Sequence, residues 1–397
     1  MDKKTVRDVS VTGKRVLARV DFNVPLDVTS GRITDDSRIK ATIPTIDYLI
    51  EHDAKLILCS HMGRPKGKIV PGLSLKSVAE RLARILRQPV DFAPDCIGPE
   101  VEAMVSQLKN GDIRVLENLR FHLEEEQNDP IFAQALAKLG DIYVDDAFGT
   151  AHRAHASIVG VTKYLPSVAG LLLEKEINSL GKVLLDPVHP FGLLLGGAKV
   201  SDKVALIENI LPRVDFIIIG GGMAATFLKS KGYEVGQSLL DGNIETASYL
   251  MDRAEKNGVK VYLPEDVVVA DIGVDANWET VSVKSIPSEK RIVDIGALTI
   301  SHFTRILERC KTVFWNGPMG VYEIPQFTEG TQAMARIISS INATTIIGGG
   351  STAEIVTAMN LNGRMTFVST GGGAALKFLS GETLPGVEVL LDKKQAD

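Results

Sequence analysis

The stretch FIIIGGG at residues 216–222 decides the fold: an apolar, strand-like run ends in a glycine-rich turn that leads into a helix-like segment. The same order recurs in LLLGGAK (193–199), VFWNGPMG (313–320), TIIGGGST (345–352) and FVSTGGG (367–373). Strand runs that alternate with helical patterns imply crossover connections and a mostly parallel sheet with helices on both faces. The first half has the same rhythm, but its loops carry cations, in RVDFN, CSHMGR, LENLR and GTAHR. Glycine lets backbone N–H groups close on an anion, and a helix N-terminus adds a favourable dipole. Arginine and histidine grip phosphate or carboxylate with side chains. Two anionic ligands held by two different means is the layout of phosphoryl transfer.

In the first half, strands are expected at 15–22, 55–60, 113–116 and 141–144. A helix is expected over 37–51, where Ile39, Ile43, Ile46 and Ile50 recur at helical spacing. Ser74 is placed as the cap of a helix reaching Arg87, and Asp129 followed by Pro130 as the start of one reaching Leu139. In the second half a helix is expected directly after each glycine cluster. The amphipathic stretch 168–183, broken afterwards by the two prolines of LLDPVHP, reads as a hinge helix or as a plain buried helix.

A chain of 397 residues exceeds the size at which one core keeps growing, so two domains are the default. The net charge of −5 argues against nucleic-acid binding, which needs clustered positive charge. Local cations on a mildly acidic body suit a small anionic ligand. Cys59, Cys96 and Cys310 are far apart and form no C-x-x-C pair, so neither a disulfide framework nor a zinc site is read from them. Without a leader-like or membrane-length apolar run, the expectation is a cytoplasmic protein with no membrane partner.

Asp21 and Asn23 lie two apart at a strand end, so their side chains point the same way. They suit recognition of ligand hydroxyls, or equally a turn stabilised by local hydrogen bonds. His61 and Arg64 flank a glycine after the strand KLILC, Arg120 and Arg153 follow two further strands, and Arg38 opens a helix. Ligands of open α/β sheets bind at the carboxyl ends of strands, so these cations read as one socket for a multiply charged anion. Lys199 and Lys203, four apart, are placed on one face of a helix entered after Gly197, where they would repel the dipole and each other unless an anion sits there. Glu323 reads as a ribose acceptor or an exposed charge. No G-x-G-x-x-G follows the first strand of either half, which counts against an NAD-dependent oxidoreductase.

Together RVDFNVP, SHMGRP, LENLRF, DDAFGTAHRAHAS, LGGAKVSDK, GGGMA, WNGPMGVYE, STGGGA and LPGV resemble the phosphoglycerate kinase family in order and spacing through essentially the whole chain. The resemblance implies two Rossmann-like lobes: residues 1–167 binding 3-phosphoglycerate or 1,3-bisphosphoglycerate, and 184–379 binding ADP or ATP with Mg²⁺. It also implies a hinge helix at 168–183, a tail at 380–397 returning to the first lobe, and a monomeric glycolytic enzyme. The family's acid-binding positions fall on Asp21, Asn23, Arg38, His61, Arg64, Arg120 and Arg153. Its nucleotide positions fall on Gly197, Lys199, Lys203, Gly221, Glu323, Gly349, Gly350, Ser351 and Thr352. Arg38, Lys199, Lys203 and the amides of Gly372 and Gly373 are the implied catalytic groups. The family's metal-binding aspartate is Ser351 here, a hydroxyl that can ligate Mg²⁺ without bringing charge. Its serine and glutamate in the last glycine motif are Ala375 and Lys377, and the aromatic after GGGM is Ala225. A non-enzymatic metabolite binder, disabled at Ser351, is the second alternative.

Overall fold

The computed structural model describes residues 2–27, 29–241, 244–271 and 277–393. The chain divides into two compact units, Met1–Asn178 with Thr383–Asp397, and Ser179–Glu382.

The first unit contains β1 (Arg15–Arg19), β2 (Lys55–Cys59), β3 (Asp91–Phe92), β4 (Ile113–Val115), β5 (Ile142–Asp145) and β6 (Ser167–Ala169). They form one sheet in the order β3-β4-β2-β1-β5-β6, every pair parallel. Alternate residues of the central strands feed different cores. Val16, Ala18, Leu56 and Leu58 join one cluster, while Leu17, Ile57 and Cys59 join another. That two-sided burial explains why these strands read as continuous apolar runs rather than alternating ones.

Helix Ser37–Glu51 forms as expected, with Ile39, Ile46 and Leu49 buried, while Ile43 and Ile50 sit at the edge of the stripe. Ser74 takes part at the helix start as expected, its Oγ accepting from Lys76 N at 3.3 Å, and a longer-range partner supports it. The helix runs Lys76–Leu86 from an N-cap at Leu75, and Glu117 accepts from Leu75 N (2.9 Å) and from Ser74 Oγ (2.6 Å). Asp129 does cap helix Pro130–Ala137, accepting from Phe132 N at 2.8 Å. The stretch expected to be helical over 168–183 is split: β6 takes its first residues and the helix runs Leu171–Leu185. Asp146 and Thr45 explain the start, because Asp146 Oδ1 accepts from Leu172 N and Leu173 N and Thr45 Oγ1 from Leu171 N. The C-terminal segment packs with this unit through Leu391 N to Ser167 O (3.0 Å) and Gly386 N to Ala151 O (2.8 Å). The end of the KKQAD run lies outside the described residues.

The second unit holds β7 (Phe191–Leu195), β8 (Phe216–Ile219), β9 (Lys260–Tyr262), β10 (Asp266–Ala270), β11 (Trp278–Ser282), β12 (Arg291–Ile295), β13 (Thr312–Asn316), β14 (Thr344–Gly348) and β15 (Phe367–Val368). Six of them make an all-parallel sheet, β15-β14-β13-β7-β8-β9. β7 and β13 are buried along their whole length. The sequence reading did not anticipate the separate antiparallel sheet, β11-β10-β12. Among the described residues, no helix is long and apolar enough to cross a membrane.

Candidate anion sites in the two units

In the first unit the loops at the carboxyl ends of β1, β2 and β4 are tied into one assembly. Asn23 Oδ1 accepts from Gly63 N at 2.9 Å, and the Arg120 guanidinium donates to Gly63 O at 2.9 Å. Asn118, fully buried, fixes the same loops by donating to Met62 O and Leu73 O and accepting from Met62 N. Arg38 enters from its helix and pairs with Asp21 at 2.5 Å; Asp21 is buried, while the Arg38 side chain remains about one-third exposed.

Sequence reading counted the cation of RVDFN, Arg19, among the charged strand ends but gave it no site role; it is the fully buried last residue of β1. Its guanidinium donates to Ser157 Oγ (3.0 Å), to the carbonyl of Val20 and to His61 Nδ1 (3.0 Å). An arginine only donates, so Nδ1 of His61 accepts and the neutral ring carries its hydrogen on Nε2. Burial first, then the positive charges of Arg19, Arg120 and Arg38, hold the His61 pKa well below the ordinary value. His155 is pushed down to about 4 by burial and by Arg120, Arg19 and Arg153. These couplings put Arg19 and Arg120 within electrostatic reach of both histidines, Arg38 near His61 and Arg153 near His155, and they hold both rings toward the neutral form.

The Arg120 pKa is lowered by burial and by Arg19 and Arg153, against the opposing pull of Glu126. Its buried Nε lies 3.3 Å from Glu126 Oε1 in an ion pair without a well-formed hydrogen bond. Arg64 is exposed beside Gly63 and Arg153 is half-buried. The one signal for Arg19 in the sequence is a cation closing an otherwise apolar strand.

In the second unit a cleft of about 260 Å³ opens at the carboxyl ends of β7, β13 and β14. It is lined by Gly197, Lys199, Lys203, Gly349, Gly350, Ser351, Thr352, Gly372 and Gly373, all expected from the sequence. Asp202, Asn316, Gly317, Pro318 and Leu376 also line it and were not expected. Gly221 and Glu323 are not among the lining residues; Glu323 is exposed on a turn. Gly221, at φ +63°, has a packing reason to be glycine, since a Cβ there would lie 2.6 Å from Gly197 N and from Pro318 O.

The expected pairing of Lys199 and Lys203 on one helix face does not occur. The segment after Gly197 bends, a 3₁₀ turn covers Ser201–Lys203, and the α-helix starts only at Val204. Similarly, the turn at 317–320 reaches its helix, Glu329–Ile338, only after the 3₁₀ turn Pro325–Phe327. The two lysines still meet at the cleft: Lys199 is exposed, while Lys203 is buried and donates to Asn316 Oδ1. Burial lowers the Lys203 pKa to about 8, opposed by Asp202.

Helix Gly350–Ala358 begins at the cleft, and its first-turn N–H groups have no intrahelical acceptor. Thr352 Oγ1 accepts from Gly317 N at 2.8 Å and locks the helix start to the neighbouring turn. Among the lining side chains, the Ser351 hydroxyl and the Asp202 carboxylate offer oxygen to a cation, while Asn316 Oδ1 and Thr352 Oγ1 are engaged by Lys203 and Gly317 N. Hard oxygen ligands few in number suit a Mg²⁺ ion carried mainly by nucleotide phosphates.

The phosphoglycerate kinase family profile matches residues 6–382. Phosphoglycerate kinases of Moorella thermoacetica and Pelotomaculum thermopropionicum are 51% and 52% identical, each alignment covering 99% of this chain and 100% of the relative. The structure of phosphoglycerate kinase from Coxiella burnetii superposes with a TM-score of 0.85 at 37% identity, covering 98% of both chains. That from Pyrococcus horikoshii OT3 gives 0.86 at 32% identity with the same coverage.

Proposed function

The chain belongs to the phosphoglycerate kinase family and is a phosphate-transferring kinase of glycolysis; from that premise we propose how its residues divide the work. The first unit binds 3-phosphoglycerate or 1,3-bisphosphoglycerate through Asp21, Asn23, Arg38, His61, Arg64, Arg120 and Arg153. The second binds ADP or ATP at Gly197, Lys199, Lys203 and the helix start at 349–352. Mg²⁺ would be held by Ser351 and Asp202 beside the nucleotide phosphates, where its charge offsets theirs. The protein works as a cytoplasmic monomer, with helix Leu171–Leu185 as the hinge.

The nucleophile is an anion in both directions, a carboxylate or a nucleotide β-phosphate, so no general base is required. What remains is alignment and charge stabilisation. Arg38 and Lys203 face the equatorial oxygens of the phosphoryl in flight, with Lys199 and the amides of Gly372 and Gly373 assisting. Because these groups belong to separate units, the site is complete only when the units close, and closure keeps water from the acyl phosphate.

The observation that carries this reading is the buried ammonium of Lys203 in a cleft lined by glycines, an arrangement that favours an anion. Its test is ATP formation from ADP and 1,3-bisphosphoglycerate across a Mg²⁺ titration. Turnover that rises and saturates with Mg²⁺ is expected. Tight binding of both ligands with no Mg²⁺-dependent turnover would contradict it.

A further inference from the structure

We propose that Asp95, Cys96 and His122, in the first unit, form a binding site for a borderline-soft divalent cation, with zinc the best match. Asp95 and Cys96 follow β3, and His122 follows the turn after β4. The two strands pair in parallel, with Phe92 beside Val115, so both loops leave the same end of the sheet. One carboxylate oxygen, the thiol sulfur and one imidazole nitrogen lie within 4.8 Å of one another. Among the described residues this is the one cluster of three such ligand types. A tetrahedral zinc with bonds of about 2.0–2.3 Å holds its ligand atoms roughly 3.3–3.8 Å apart, so a contraction of about 1 Å closes the site.

The present hydrogen bonds show how a cation would enter. His122 Nε2 donates to Asp95 Oδ1 at 2.7 Å, and the same oxygen accepts from Cys96 N at 2.6 Å, which ties the carboxylate to both neighbours. The imidazole hydrogen therefore lies between two of the three ligand atoms, where a metal ion would sit. On binding, the thiol proton goes to solvent and neutral His122 carries its hydrogen on Nδ1. One thiolate and one carboxylate then balance the 2+ charge. A sulfur–nitrogen–oxygen set favours zinc over Mg²⁺, and three protein ligands leave the fourth position to water.

The surroundings meet the other requirements of such a site. Cys96 is fully buried among apolar side chains that include Leu119 and Phe132. The His122 ring is set against Phe132 with centroids 5.3 Å apart. The Asp95 and His122 side chains keep 48% and 28% of their exposure, which provides a path from solvent.

Cobalt(II) is the probe, added to the full chain in excess Mg²⁺ so that the nucleotide cleft does not compete. One equivalent is expected to produce thiolate-to-cobalt charge-transfer absorption in the near ultraviolet, which zinc then abolishes by displacement. Cys96→Ser should remove the band. His122→Gln, a substitution at a partly exposed position, should weaken cobalt binding at least about tenfold without loss of fold. No charge-transfer band in the folded protein, or a band and affinity unchanged in both variants, would overturn the site.

Discussion

The candidate anion sites of the two units are built by opposite means. In the first, charge sits on side chains, and three of the cations have protein partners: Arg38 leans on Asp21, Arg120 on Gly63 O, and Arg19 on Ser157 and His61. In the second, much of the positive potential belongs to the main chain at a helix start, and among the described residues of that unit Lys203 is the one buried cation. A side-chain site is sensitive to deletion of a functional group. A main-chain site is sensitive to addition of a Cβ.

The largest effect is expected where the second unit departs from its own rule, at Lys203. Lys203→Ala should lower kcat about 100- to 1000-fold while leaving phosphoglycerate binding intact, as isothermal titration can verify. With its pKa near 8, the ammonium is charged below that pH and lost above it, so kcat/KM should fall as pH rises through about 8. Lys203→Arg, which stays charged, should not show that alkaline limb.

A backbone test comes next. Gly349 has φ +93°, and a Cβ there would lie 2.8 Å from Asn316 Nδ2. Gly349→Ala should weaken ADP about tenfold, through strain and displacement of the helix start, and leave 3-phosphoglycerate affinity unchanged. Equal weakening of both ligands would erase the proposed division. Smaller still is Ser351→Asp, which adds a carboxylate beside Asp202 and should reduce the Mg²⁺ concentration for half-maximal turnover several-fold. An unchanged Mg²⁺ requirement would remove Ser351 from the metal's surroundings.

The smallest effect concerns stability in the first unit. Burial raises the Asp146 pKa to about 7 from 3.8, against the hydrogen bonds it accepts at the start of helix Leu171–Leu185. A raised carboxylate pKa makes the charged form a cost to folding. That cost is full above pH 7 and relieved as pH falls toward 3.8. Asp146→Asn keeps an acceptor for the helix and loses the charge, so its stability relative to the parent should improve between pH 5 and pH 8, by about 1–3 kcal/mol in urea unfolding. A difference that is the same at both pH values would show that the carboxylate is not paying this penalty.

Most of the parallel strands were legible because two-sided burial writes itself as unbroken apolar runs, as in KLILC and FGLLL. The three-stranded antiparallel sheet was not, since β11 is largely exposed and its residues follow no buried pattern. Helix starts fixed by distant partners, such as Glu117 for Leu75 and Asp146 for Leu172, leave no local trace either. Strand-end cations could be listed from sequence. Their mutual support could not, because Arg19 and Asn118 act across long separations. In the second unit, glycine turns marked the cleft correctly, yet Asn316 and Asp202 emerged only when β13 and the bend after Gly197 were placed together. The lysine spacing suggested one helix face, whereas a 3₁₀ turn brings both residues to the cleft with very different burial.

The most direct test of transfer between the units is Arg38→Ala, a change confined to the first unit, measured for turnover and for nucleotide affinity in the same preparation. A fall in kcat of at least about 100-fold with an ADP dissociation constant within about twofold of the parent is predicted. Turnover and nucleotide affinity declining together, by similar factors, would contradict a role for Arg38 on the phosphoryl in flight.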